Sequence, residues 1–178
     1  MIYRPDPKRG LEVFVDADFA GGWDPEDAES ADNVYSRTGY VICYAGCPMF
    51  WQSKLQTEIA LSTAEAEYIA LSQALRETLP ITNLMREMNV ILPLYLPKPK
   101  FVLKVWEDNQ SCIAMTNNPK FTPQTKHIAI KYHHFWKHVK TQSNPDGFIK
   151  ISTEDQLANI FTNPVRDDIF FKLQKLLL

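Results

Sequence analysis

Three short runs of β-branched and aromatic residues precede the first helical period in this chain, and that order restricts the fold more than any other feature. Leu11-Glu12-Val13-Phe14-Val15-Asp16 reads as a strand, Thr38 to Ala45 as a second, and Met49-Phe50-Trp51-Gln52-Ser53 as a third. Gly46-Cys47-Pro48 turns the chain between the last two, which makes them a hairpin. Only then does the apolar spacing change. Ser62-Thr63-Ala64-Glu65 has the form of a capping box, and Ala64, Tyr68, Leu71, Leu75 and Leu79 recur at steps of three and four. Pro80 fits the first turn of a further helix, Ile81 to Met88, where its missing amide proton costs little.

Beyond a proline-bearing loop at 92–100, Phe101 to Glu107 reads as a fourth strand and Asn109 to Asn117 as a short helix. A longer helix is expected from about Lys126 to Lys140, with Ile128, Tyr132, Phe135 and Val139 on its apolar stripe. Phe148 to Ile151 is a short fifth strand. Thr153 is positioned to cap a helix through Phe161, with Gln156 completing the box, and an amphipathic segment from Val165 to Leu178 ends the sequence. Strands, helices, strand, helices, strand and helix in this order describe an α/β fold, a mixed sheet with helices packed on it. With no internal repeat and no long linker, residues 1–178 are read as one domain, with an approach segment at 1–10 and a C-terminal helix at about 165–178.

The formal net charge of −2 argues against a high-affinity, non-specific nucleic-acid binder. It argues less against a nuclease, because bound divalent cations bring positive charge to the place where a phosphate arrives. The segment 24–32 concentrates Asp24, Glu26, Asp27, Glu29 and Asp32, an acidic loop suited to the rim of such a site. Cys43, Cys47 and Cys112 lack zinc-like spacing and read as reduced thiols of an intracellular protein. No signal peptide is evident at Met1-Ile2-Tyr3-Arg4-Pro5, and no apolar run approaches the roughly 20 residues that span a bilayer, so no membrane role is expected.

Two carboxylates stand where strands end. Asp16 closes the first strand and Asp108 follows the fourth; they share the parity of Phe14 and Trp106, so each leaves the sheet on a defined face. Were these strands parallel neighbours, their C-terminal ends would bring both acids together, where open α/β sheets keep their sites. Clustered carboxylates repel one another, and Mg²⁺ is a natural neutraliser. Two such ions support phosphodiester hydrolysis. The structural alternative is that Asp16 is a turn residue and that Asp108-Asn109 caps the next helix. Spacing does not reveal strand order, so both readings stand at this level.

Several blocks in order carry a resemblance: Val15-Asp16-Ala17-Asp18-Phe19-Ala20-Gly21, Ser36-Arg37-Thr38-Gly39-Tyr40, Trp51-Gln52-Ser53-Lys54, Ala60 to Tyr68 (ALSTAEAEY), Glu107-Asp108-Asn109-Gln110-Ser111, Thr125-Lys126-His127-Ile128 and Thr153-Glu154-Asp155-Gln156-Leu157-Ala158. The chain resembles, over nearly its whole length, the ribonuclease H domain of copia-type retrotransposon polyproteins. The resemblance implies a ribonuclease H-like fold: a five-stranded mixed sheet, its first three strands antiparallel, flanked by helices. It also implies a catalytic, metal-ligating set of Asp16, Glu67, Asp108 and Asp155, holding two Mg²⁺ ions with Mn²⁺ as the alternative. The implied activity is endonucleolytic hydrolysis of the RNA strand of RNA–DNA hybrids during reverse transcription. A reverse transcriptase domain would lie upstream, and the place of action would be intracellular, in the cytoplasm, a virus-like particle or the nucleus. An inactive binding or scaffold domain of the same fold is the alternative, against which the retained acids argue.

On a helical wheel Glu67 lies roughly 70° from the apolar centre and Glu65 roughly 90° on the other side, so geometry separates them poorly. The resemblance selects Glu67 and leaves Glu65 to the capping box. Asp155 adjoins Glu154 in a first helical turn, where acids are favoured by the dipole alone. Cellular ribonucleases H carry a histidine in the loop before their last catalytic helix, whereas Phe148 to Thr153 contains none here. Asn109 and Gln110 are candidate contacts to sugar and phosphate, Asn109 being equally a helix cap. Lys126, His127, Lys131 and His134 are further substrate-binding candidates; the last three, with His138, recur at steps of four, three and four on a stripe that would serve equally as a solvated helix face.

Overall fold

The computed structural model describes residues 4–6, 8–27, 31–91, 103–117, 139 and 147–177. The loop expected at 92–100 and the helix expected from Lys126 to Lys140, Val139 excepted, lie outside the described residues. So do four of the substrate-binding candidates: Lys126, His127, Lys131 and His134.

Five strands form one sheet: β1 (Leu11–Asp18), β2 (Arg37–Tyr44), β3 (Cys47–Leu55), β4 (Leu103–Glu107) and β5 (Phe148–Lys150), in the order β3-β2-β1-β4-β5. The first three strands pair antiparallel. β4 then runs parallel to β1, with Val13 opposite Val105 and Phe14 opposite Trp106, and β5 runs parallel to β4. This is the expected mixed sheet, and the parallel β1–β4 pair supplies the adjacency that spacing could not reveal.

The hairpin turns at Ala45 and Gly46, starting one residue earlier than the expected 46–48. Ala45 and Gly46 both have positive φ, 52° and 79°, a pair whose backbone twist matches that of the flanking strands. Cys47 and Pro48 therefore open β3, an edge strand that tolerates proline, and the register shifts between Ile42 and Cys43 as it passes them.

Helix α1 runs unbroken from Thr63 to Ile91, where the sequence suggests two helices divided at Pro80. Pro80 and Arg76 are both exposed, so the Arg76 carbonyl that loses its amide partner is left on the solvent side, where water can satisfy it. On the buried side, the Thr78 and Thr82 hydroxyls donate to the carbonyls of Ala74 and Thr78. Among the described residues two shorter helices follow, α2 (Gln110–Asn117) and α3 (Asp167–Leu177). No described helix is long and apolar enough to cross a membrane.

The segment expected to be a capped helix from Thr153 to Phe161 instead forms two 3₁₀ turns, Thr153–Asp155 and Leu157–Phe161, on either side of an extended Gln156. The cause is tertiary. The buried Gln156 amide donates to the carbonyls of Val15 (2.8 Å) and Trp106 (3.3 Å), a bridge between β1 and β4 that a continuous helix would rotate away.

Apolar side chains fill both faces of the sheet. Val13, Val15, Ile42 and Val105 pack against Ile69, Leu71 and Leu75 of α1 and Cys112 of α2. On the opposite face Phe14, Val41 and Trp106 meet Leu157, Ala158 and Leu173, the Phe14 and Trp106 rings stacking across the β1–β4 pair at 5.9 Å. Each buried large side chain stabilises by about 1.5–3 kcal/mol, so this packing fixes β1 against β4 from both sides.

Candidate metal centre

The strand register carries two acids to one place. Phe14 sits opposite Trp106, so continuing the parallel ladder by two residues sets Asp16 beside Asp108, where the sheet meets solvent. The third acid comes from α1. Gln56, just past β3, donates to the Thr38 hydroxyl (3.1 Å) and to the Ala66 carbonyl (2.9 Å), tying the first turn of α1 to β2. Glu67 follows, facing the end of the sheet. One carboxylate oxygen from each of Asp16, Glu67 and Asp108 lies within 4.8 Å of the other two.

Two of these acids are buried, and Asp108 is partly exposed. Asp16 and Glu67 are each 4% exposed. Burial pushes the Asp16 carboxyl up to about 6, against the Thr162 hydrogen bond, with the charges of Asp108 and Asp18 adding to the rise. Burial likewise pushes Glu67 up to about 11, followed by the repulsion of Glu107, Asp16 and Asp108. Glu67 Oε2 has no hydrogen-bond partner among the described residues. An oxygen-only donor set with an orphaned buried oxygen fits a hard divalent cation such as Mg²⁺ or Mn²⁺.

The structure separates the two glutamates that the helical wheel could not. Ser62 Oγ accepts from the Glu65 amide (3.2 Å), and the Glu65 carboxylate reaches back to the Leu61 amide (2.9 Å), a capping role at the start of α1. Glu67 alone of the two joins the acids.

Asp155 stands outside the trio. Its carboxylate accepts from Ser152 Oγ (2.6 Å) and pairs with Lys172 of α3 (2.7 Å), and these two partners hold it below the usual carboxylate range. Its neighbour Thr153 does reach the site, donating to Asp108 Oδ2 (2.8 Å). Asn109 is the N-cap of α2: its side-chain oxygen accepts from the Ser111 and Cys112 amides (2.9 and 3.0 Å). That oxygen is therefore engaged, while Gln110 is exposed at the start of the same helix.

Two residues near the trio were missed by sequence reasoning. Thr162 donates its hydroxyl to Asp16 Oδ2, and Asn163 in turn donates to that hydroxyl (3.3 Å). The contact depends on Gly39, paired with Asp16 across β1–β2, because a Cβ there would come within 2.6 Å of the Thr162 methyl and 3.0 Å of the Ala158 carbonyl. No local pattern announces such an arrangement. Glu107, beside Asp108, is the second. Its position on the parity of the buried Val105 was a readable signal, an acid on the apolar face of a strand.

No protein-family model matches the chain. It is 34% identical over 155 residues, 87% of its length, to the retrovirus-related Pol polyprotein from transposon TNT 1-94 of Nicotiana tabacum. Identity to the Pol polyprotein from transposon RE1 of Arabidopsis thaliana is 31% over 160 residues, 90% of the chain. The chain spans about a tenth of the length of these curated relatives. Among solved structures, LC11-RNase H1, isolated from compost by a metagenomic approach, aligns with a TM-score of 0.56 at 18% identity, over 90% of this chain and 98% of the other. The same protein in complex with an RNA/DNA hybrid aligns at 0.52 and 16% identity, over 90% and 99% of the two chains. The N-terminal ribonuclease H domain of Mycobacterium tuberculosis rv2228c aligns at 0.53 and 8% identity, over 93% and 96%. The chain thus has a ribonuclease H-like fold and is related in sequence to one segment of retrotransposon Pol polyproteins.

Proposed function

We propose that this chain is a copia-type ribonuclease H, one domain over residues 1–178, that hydrolyses the RNA strand of RNA–DNA hybrids with two divalent cations, Mg²⁺ or Mn²⁺. The observation that carries the reading is the trio formed by Asp16 and Asp108 from neighbouring parallel strands and Glu67 from α1, with Asp16 and Glu67 buried and one Glu67 oxygen orphaned among the described residues. Related Pol polyproteins support a place downstream of a reverse transcriptase in a longer protein acting inside the cell during reverse transcription. The solved LC11-RNase H1 complex supports the choice of an RNA–DNA hybrid as substrate.

In this reading Asp16, Glu67 and Asp108 hold the cations, which when bound supply Lewis acidity to the phosphodiester and its attacking water. Thr162 donates to Asp16 Oδ2 and so helps fix the orientation of that carboxylate. Asp155 is the fourth acid, and joining the cations requires its release from Lys172. With its oxygen committed to the cap, Asn109 is left with only amide donors for sugar or phosphate oxygens. Gln110, exposed beside it, is free to turn either end of its amide to a 2′-hydroxyl. Lys126, His127, Lys131 and His134 are assigned to the phosphate backbone. The Asp155–Lys172 pair also favours a second reading, an inactive domain of this fold whose fourth acid has become structural.

Incubation of the whole chain with labelled RNA–DNA hybrid, duplex RNA and duplex DNA, each with and without Mg²⁺, separates these readings. Metal-dependent cutting of the RNA strand of the hybrid, leaving 3′-hydroxyl and 5′-phosphate ends, is expected. Equal cutting of duplex DNA, or metal-independent products ending in 2′,3′-cyclic phosphate, would overturn the assignment. Metal binding without any cleavage would establish the inactive domain.

A further inference from the structure

We propose that Gln156 is a positioning residue for the cation site: its buried amide fixes the spacing of the two strand ends that carry Asp16 and Asp108. The inference rests on the metal-centre reading and adds to it a residue that touches neither cation nor substrate.

The β1–β4 ladder ends at Phe14 and Trp106, so Asp16 and Asp108 both lie past its last pair. Beyond that point the two strands no longer set their separation through a shared ladder. The Gln156 side chain takes over there. It is fully buried, at 0% exposure, and its amide nitrogen has two hydrogens to donate. That nitrogen bonds to the Val15 carbonyl (2.8 Å), on the peptide unit leading into Asp16, and to the Trp106 carbonyl (3.3 Å), two residues before Asp108. The amide oxygen is committed as well, accepting from the Ala158 amide.

The residues on either side of Gln156 grip the acids themselves. Thr153 donates to Asp108 Oδ2 (2.8 Å), and Thr162 donates to Asp16 Oδ2. Asn159 closes the segment on itself by donating to the Thr153 carbonyl (2.7 Å). Each aspartate is thus held twice by the stretch 153–162, at its strand through Gln156 and at its carboxylate through a threonine. The stretch gives up a continuous helix to do so, with Gln156 extended between two 3₁₀ turns at the place where the ladder stops. A metal site tolerates errors of only about 0.5 Å in its ligands, so strand ends free to drift would weaken it even with every carboxylate present.

Calorimetric titration with Mn²⁺ alone tests this on the whole chain, as wild type, Gln156→Met, Gln156→Asn and Asp16→Asn, with melts in chelator fixing a temperature at which each is folded. Methionine keeps the length of the side chain without its donors; asparagine keeps the amide but sets it one carbon short of the strands. Both should melt below wild type, a loss that a purely structural residue would also show. The affinity of the folded protein separates the two roles: Mn²⁺ binding should weaken on the order of tenfold in both variants, as it does when supporting residues of metal sites are lost. Mn²⁺ affinity within twofold of wild type in the folded Gln156 variants, alongside lost binding in Asp16→Asn, would overturn the inference and leave the metal centre standing. Failure of both Gln156 variants to fold even in saturating Mn²⁺ would do the same, making Gln156 a residue of the fold. A wild-type chain that binds no Mn²⁺ would overturn both readings.

Discussion

Buried glutamates stand near both ends of β1, and the chain treats them in opposite ways. Glu12, near the strand's start, is satisfied from within: Arg9, three residues earlier, places its guanidinium 2.7 Å from Glu12 Oε2. At the other end, Glu67 and Glu107 each keep an oxygen with no partner among the described residues, beside the further acids Asp16 and Asp108. A buried carboxylate that serves structure alone is paired by the protein, because an uncompensated charge costs several kcal/mol. Acids left together and unpaired mark a place where the compensating charge comes from outside.

The largest effect expected from this contrast is on catalysis. Asp16→Asn should lower hybrid cleavage by more than about a hundredfold, since even indirect supporters of metal sites cost 10–100-fold. Its stability in chelator should not fall, because one member of a repulsive set has been neutralised. A large loss of chelator stability in urea unfolding would make Asp16 a structural residue and erase the difference between the two ends.

Arg9→Met should do the reverse. It strands Glu12 without its cation and should cost about 1–3 kcal/mol in urea unfolding, less than a fully buried pair because Arg9 is partly exposed. The cleavage rate per folded molecule should be unchanged. A neutral Arg9→Met would show that pairing within the chain is not what distinguishes Glu12.

The contrast was only partly legible in the sequence. Runs of β-branched residues located the strands, although β1 continues two residues past Asp16 to Asp18 and β4 stops at Glu107, just short of Asp108. The juxtaposition of Asp16 and Asp108 needed the parallel β1–β4 pairing, which is a property of the sheet and not of either strand. The breaks that failed to match the sequence have the same origin. Pro80 does not end α1 because its solvent-facing position lets water meet the freed carbonyl, and helix propensity carries no information about that orientation. Gln156 interrupts what looks like a capped helix because its amide bonds to two strand carbonyls remote in sequence. Thr162 reaches Asp16 across 146 positions, through a gap that exists only because residue 39 lacks a side chain. Glu107 is legible as an acid on the buried parity of β4, two residues after the core residue Val105.

The smallest of the mutational effects sharpens the geometry at the acid end. Thr162→Val keeps the shape but removes the hydroxyl that holds Asp16 Oδ2, and should cost about 1 kcal/mol of stability. It should reduce kcat by a modest factor and leave KM for hybrid unchanged, because Thr162 orients a metal ligand without touching substrate. An altered KM with intact kcat would place Thr162 at the substrate surface instead.

The central claim, that the acids at the end of β1 and β4 await an external cation, is tested most directly by thermal unfolding of wild type and Asp16→Asn in chelator and in saturating Mg²⁺ or Mn²⁺. At a hundredfold excess over the dissociation constant, the wild type should gain about 2.7 kcal/mol, a rise of about 5–10 °C, with little change in Asp16→Asn. Equal shifts in both proteins, or none in the wild type, would contradict the account.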